Sequence, residues 1–69
     1  MFGENLRKAR MQCGLTQENV ARTLDVTLRA YQNYESGKRE PNFDTVVKLA
    51  RLYGVSTDFL FGLDEESSD

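Results

Sequence analysis

The sequence predicts an all-α domain of five helices, on three observations. Apolar residues recur at three- and four-residue spacing along most of the chain. No stretch alternates with period two for long enough to form a strand. Ser, Thr, Asn, Gly or Pro interrupts each change of periodicity, as helix caps and turns require.

The first helix is predicted over Glu4–Cys13, where Phe2, Leu6, Ala9 and Cys13 line an apolar face and Gly14 supplies a stop. Arg7, Lys8 and Gln12 fall on the other side, and Cys13 reads as a small residue near the core. Thr16 caps a second helix over 17–24, with Glu18 at the positive end of its dipole. A reciprocal capping box would want Glu or Gln at Asn19, so that signal reads as incomplete. Val20, Ala21 and Leu24 face inward, and the small Ala21 allows another helix to cross closely.

Periodicity breaks for only about three residues at Asp25, and Thr27 starts a third helix over 27–35. Two short helices joined so tightly must cross steeply, which makes a helix-turn-helix unit at about 17–35. The polar loop Ser36–Asn42, carrying Gly37 and Pro41, leads to a helix capped by Asn42. Its apolar set is Phe43, Val46, Val47, Leu49, Ala50 and Tyr53, closed by Gly54. A last short helix follows a Ser56/Thr57 cap and runs through Phe59, Leu60 and Phe61 to Gly62. Residues 1–63 therefore read as one domain. The acidic, Ser-bearing stretch 64–69 is predicted to be a disordered tail.

Composition excludes several classes. With 69 residues the chain buries only about 60% of its unfolded surface, so its core is thin. One cysteine allows no internal disulfide, and without histidine no metal or other cofactor is expected. No apolar run approaches the ~20 residues of a membrane span, and the first residues do not resemble a signal peptide, so a cytoplasmic protein is expected. Without histidine, a metal cluster or a Gly-rich phosphate loop, enzymatic function is not expected either. The net charge of −2 is concentrated in the tail, whose four acids leave seven of the eleven for residues 1–63. Against nine Lys and Arg, that part carries +2, a sign compatible with nucleic acid.

The third helix has two faces. Ala30, Tyr31 and Tyr34 form a bulky packing side; Leu28, Arg29, Gln32 and Asn33 form a side on which three of four residues can hydrogen-bond twice. Such a helix suits a DNA groove.

Leu15-Thr16-Gln17-Glu18, Ala21, Val26-Thr27, Tyr34-Glu35-Ser36-Gly37-Lys38-Arg39-Glu40-Pro41 and Leu60-Phe61-Gly62 together resemble the phage-repressor and Cro type of helix-turn-helix regulator, from about Gly3 to Leu63. Asp25 stands where that family usually has Gly, Ala9 where a larger aliphatic is common, and Leu28 at a position often polar. The resemblance implies a compact, lambda-repressor-like five-helix domain. It would bind a palindromic double-stranded DNA operator as a homodimer, with the third helix in the major groove and the second crossing the backbone. By position in the motif, Leu28, Arg29, Gln32 and Asn33 would touch base edges. It also implies an ion pair between Arg10 and Glu35.

Residue chemistry supplies the expected roles. The Arg29 guanidinium can pair with guanine O6 and N7, or else meet phosphate or solvent. The amides of Gln32 and Asn33 suit adenine N6/N7, or phosphate. Leu28 can only pack on a thymine methyl or the sugar, or shield the helix start. Gln17, at a helix start, and Thr27, a cap with a hydroxyl to donate, are expected at phosphates. So are Lys38, Arg39 and Asn42 in and after the loop, although loop charges are often only solvated. Tyr31 and Tyr34 are core anchors first. Phe59–Phe61 is too apolar for a free end on so small a domain, and Val55, Thr57 and Phe61 are the candidate dimer interface. The leading expectation is a sequence-specific transcriptional regulator, most simply a repressor. The alternative is an antitoxin or accessory module whose main partner is another protein.

Overall fold

Capping chemistry sets most helix boundaries. In the computed structural model, which describes residues 1–63, the helices are α1 (Phe2–Gln12), α2 (Gln17–Leu24), α3 (Leu28–Ser36), α4 (Phe43–Tyr53) and α5 (Thr57–Phe61). No strand occurs among the described residues. The expected tail at 64–69 lies outside them.

Thr16, Thr27, Asn42 and Ser56 each accept a backbone N–H three residues on, and each of the four helices behind them starts at the next residue. Two boundary expectations need correction. The α2 capping box is complete, because the shorter Asn19 side chain reaches back to the Thr16 amide at 3.1 Å while Thr16 Oγ1 accepts the Asn19 amide at 3.0 Å. Meanwhile α1 begins at Phe2 rather than Glu4. Its first turn is closed by the Asn5 amide donating to the Met1 carbonyl, with no side-chain cap to announce the start.

The core draws on every helix: Leu6 and Ala9 from α1, Val20 and Ala21 from α2, Tyr31 from α3, Val46, Leu49, Ala50 and Tyr53 from α4, and Leu60 from α5. Helix α3 packs against both α1 and α2, and α5 against both α1 and α4. Two residues of the expected apolar faces lie elsewhere. Cys13 is exposed beyond the end of α1, with Sγ 3.5 Å from the Tyr53 carbonyl, and Phe43 is 75% exposed in the first turn of α4.

Two contacts of α1 set the geometry of the rest. Gly3 lies against the last turn of α3, where a Cβ would fall on the Glu35 carbonyl and crowd that of Tyr34. Only glycine permits that approach. Asn5, 7% exposed, donates from Nδ2 to the carbonyls of Phe59 at 3.1 Å and Leu60 at 3.4 Å. These are C-terminal carbonyls of a one-turn helix, of which that of Phe59 also accepts the Gly62 amide at 3.0 Å. The amide thus ties α5 to α1.

Candidate nucleic-acid interface

The turn between α2 and α3 is built by Asp25. It adopts the left-handed conformation at φ 60° and ψ 44°, the one non-glycine residue with positive φ among those described. Its amide donates to the Arg22 carbonyl at 3.1 Å and the next amide, of Val26, to Ala21 at 3.0 Å. This pairing spends the last carbonyls of α2 and reverses the chain within one residue. Thr27 then caps α3 by accepting the Ala30 amide at 3.0 Å, which leaves its hydroxyl proton to donate elsewhere.

Helix α3 is seated by Tyr31. The ring is fully buried and its hydroxyl lies 2.6 Å from that of Tyr53, while Tyr34 meets its edge with ring centroids 6.3 Å apart. Burial pushes the Tyr31 hydroxyl well above the ordinary tyrosine range and raises Tyr53 to about 12, so both stay protonated. On the other side of the helix Arg29 and Gln32 are exposed, and Leu28 and Asn33 are partly buried at the margins. Asn33 also anchors the following loop, its carbonyl accepting the Arg39 amide at 3.3 Å.

The base of α3 is held by a buried carboxylate. Arg10 Nε donates to Glu35 Oε2 at 2.6 Å and Nη2 to Oε1 at 3.2 Å, while Nη1 reaches the Leu15 carbonyl at 2.9 Å. The two side chains are 13% and 5% exposed. Burial by itself would raise the Glu35 carboxyl. The hydrogen bonds from Arg10, Tyr31 and Gln17 outweigh it and hold the group below the usual carboxylate range. The same bond to Glu35 raises Arg10, so the pair is ionised on both sides.

Gln17 joins this group. Its Nε2 donates to Glu35 Oε1 at 3.0 Å, and its Oε1 accepts from Gln32 Nε2 at 3.4 Å. The first residue of α2 is therefore tied both to the buried ion pair and to the exposed side of α3. The other candidates lie around this unit. Lys38 and Arg39 are exposed in the loop after α3; Asn42 is exposed, its Oδ1 accepting the Thr45 amide at 2.9 Å. Val55 and Thr57 are partly buried where α4 meets α5. Phe61 is 51% exposed, its ring stacked obliquely on Phe2 with centroids 5.3 Å apart. It lines a shallow groove of about 250 Å³ with Phe2, Pro41, Phe43 and Val46.

Three members of this assembly escape a reading for chemistry. Asn5 carried a signal, since a polar residue stands on the Phe2–Leu6–Ala9 face and must find partners if buried. Gly3 carried none beyond being a glycine in a helix. Nor could spacing alone show that Gln17, expected to anchor a phosphate, also bonds Glu35 and Gln32.

Two short helices crossing at a left-handed turn, the second seated by aromatic residues and presenting polar side chains outward, define a DNA-binding helix-turn-helix domain. The helix-turn-helix family model matches residues 6–60, and the chain belongs to that family. It is 45% identical to the SPbeta prophage-derived HTH-type transcriptional regulator YonR of Bacillus subtilis, over all of this chain and 70% of that protein. It is also 45% identical to the HTH-type transcriptional regulator ImmR of Bacillus subtilis, over 96% of this chain and 52% of that one. Identity to the cryptic phage CTXphi transcriptional repressor RstR of Vibrio cholerae is 38%, over all of this chain and 62% of that one. The chain thus corresponds to a DNA-binding transcription-regulator domain and spans between half and about two thirds of these relatives. Among the described residues no helix is long and apolar enough to cross a membrane.

Proposed function

We propose that the chain is a sequence-specific repressor domain that occupies a palindromic operator in the cytoplasm as a homodimer, without catalytic activity of its own. Residues 1–63 form its DNA-binding unit. The observation that carries this reading is the seating of α3: Tyr31 and Glu35 are buried beneath it, while Arg29 and Gln32 stand exposed on its outer side. Helix α3 enters the major groove, where Arg29, Gln32, Asn33 and Leu28 meet base edges. Gln17, Thr27, Lys38, Arg39 and Asn42 hold the sugar-phosphate backbone. Repression is supported by the kinship to a phage repressor.

Homodimerisation is supported by the apolar surface of Phe61 and Leu63, each 51% exposed, beside Val55 and Thr57 at the end of the domain. Two recognition helices one DNA turn apart, about 34 Å, then read the two half-sites. The same surface favours the second reading, an accessory module bound to another protein.

Selection from a random pool of duplex DNA tests the first reading. The expected result is an inverted repeat whose binding weakens as a power of salt concentration. Failure of any selected sequence to outcompete bulk DNA at about 100 mM salt would reject sequence-specific repression and leave the protein partner as the main function.

A further inference from the structure

The exposed amide of Gln32 is connected, through one intervening side chain, to a buried carboxylate that can only accept hydrogen bonds while it is ionised. Glu35 is ionised and accepts only. Gln17 must therefore turn Nε2 toward Glu35, as the 3.0 Å bond records, and this points Gln17 Oε1 the other way. An oxygen can only accept, so Gln32 must turn Nε2 toward it, at 3.4 Å. Each link dictates the next. Turning Gln32 over would set its Oε1 against Gln17 Oε1, and turning Gln17 over would set an oxygen against the carboxylate.

From this geometry we infer that Glu35 and Gln17 are positioning residues for specificity: they fix the amide polarity of Gln32 and so preset it to read adenine in one orientation. The inference rests on the proposed DNA reading and names the base preference of one residue within it. With one N–H spent on Gln17, Gln32 keeps its second N–H and Oε1. This donor–acceptor pair complements adenine, whose N7 accepts and whose N6 amino group donates. Guanine offers two acceptors, N7 and O6, and would face the Gln32 oxygen with one of them. An unconstrained glutamine could rotate its amide to suit either. This one pays for rotation with two facing oxygens.

The test uses the full chain and three variants, Gln32→Ala, Gln17→Leu and Arg29→Ala, each checked for helicity and thermal unfolding. The sequence selected by the wild-type protein is varied to all four base pairs at every position of a half-site. The position that loses its preference in Gln32→Ala is the one Gln32 reads. Adenine is expected there, favoured by about tenfold over guanine in the wild-type protein. Gln17→Leu is expected to shrink that ratio to within about twofold while the position affected by Arg29→Ala keeps its ratio. A lost phosphate contact alone would lower affinity for all four base pairs equally; that result, with the adenine ratio intact, overturns the inference and leaves the DNA reading standing.

A second arm needs no DNA. The Gln32 side-chain amide resonances of the free protein should move in Gln17→Leu, whereas unmoved resonances show that no relay exists. If the wild-type chain selects no sequence, the DNA reading itself fails, whatever the resonances do.

Discussion

At the scale of single residues the interface divides by what each side chain can discriminate. Arg29 is exposed on α3, and the proposed function gives its two-pronged donor the task of telling guanine from the other bases; Lys38 sits in a loop and offers a point charge. Arg29→Ala should therefore flatten preference at one base pair and hardly alter affinity for bulk DNA. Lys38→Ala should weaken binding to every sequence alike and reduce the log–log salt slope by about one unit. Fluorescence titrations over a salt series read both, and exchanged outcomes would show the two roles reversed. Asp25 poses a different question. It carries a left-handed backbone at φ 60° that costs roughly 1–2 kcal/mol in an ordinary residue and less in Asp. Asp25→Gly should raise stability by up to about 1 kcal/mol in urea denaturation, unless the entropy glycine gains in the unfolded chain cancels it. A loss of more than that would mean that the Asp side chain holds the turn.

At the scale of helices, α5 is the element least able to stand alone. Five residues make barely more than one turn, too short to persist without packing. Ser56 caps its start, Leu60 is buried in the core, and Asn5 takes up carbonyls at its end. Asn5→Ala removes the donor to the Leu60 carbonyl, while the Phe59 carbonyl keeps the Gly62 amide, at an expected cost of about 1 kcal/mol. Because the loss falls on one end of the molecule, amide exchange should accelerate in α5 before it does in α2 and α3. Uniform acceleration would show that α5 unfolds only with the whole domain. If the dimer surface lies on α5, the same variant should also weaken self-association, as sedimentation at graded concentrations would reveal.

At the scale of the whole molecule, Glu35 joins three helices through one carboxylate, on top of the packing of α3 against α1 and α2. It receives Arg10 from α1 and Gln17 from α2 and sits on α3, with Tyr31 and Tyr53 extending the polar chain to α4. Its carboxyl lies below the ordinary value of 4.5 in the folded protein, so its contribution is complete above that pH and is lost as pH falls through the folded value. Tyr53 acts with the opposite sense. Burial raises it to about 12 from 10, so its contribution is present below pH 10 and disappears between there and 12. Urea midpoints measured across pH should show a plateau bounded by these two limbs. Glu35→Gln would strand the Arg10 charge at a cost of about 3–5 kcal/mol, a large part of what a domain this small possesses. Its midpoint at pH 7 should drop toward the value the wild-type protein reaches at the foot of its acid limb, with little further loss on acidification. An unchanged acid limb in that variant would place the titrating group elsewhere.

Much of this was legible in the chain because its causes are local. The caps Thr16, Thr27 and Asn42, the spacing of Leu6, Ala9, Val46, Leu49 and Tyr53, and the two-sided composition of 28–35 act over one or two helical turns, so the sequence alone determined the five helices, the tight turn at Asp25 and which side of α3 would pack. The start of α1 was not legible, since a backbone bond to Met1 carries no side-chain signal. Distant partnerships were decided only by the tertiary structure. Gly3 is required by the backbone of Tyr34 and Glu35, Asn5 by carbonyls of α5, and Gln17 by a carboxylate on the next helix. The physical reason is directional: a side-chain hydrogen bond has a polarity as well as a partner, and only when α1, α2 and α3 meet does the Glu35 carboxylate set which way the amides of Gln17 and Gln32 must face.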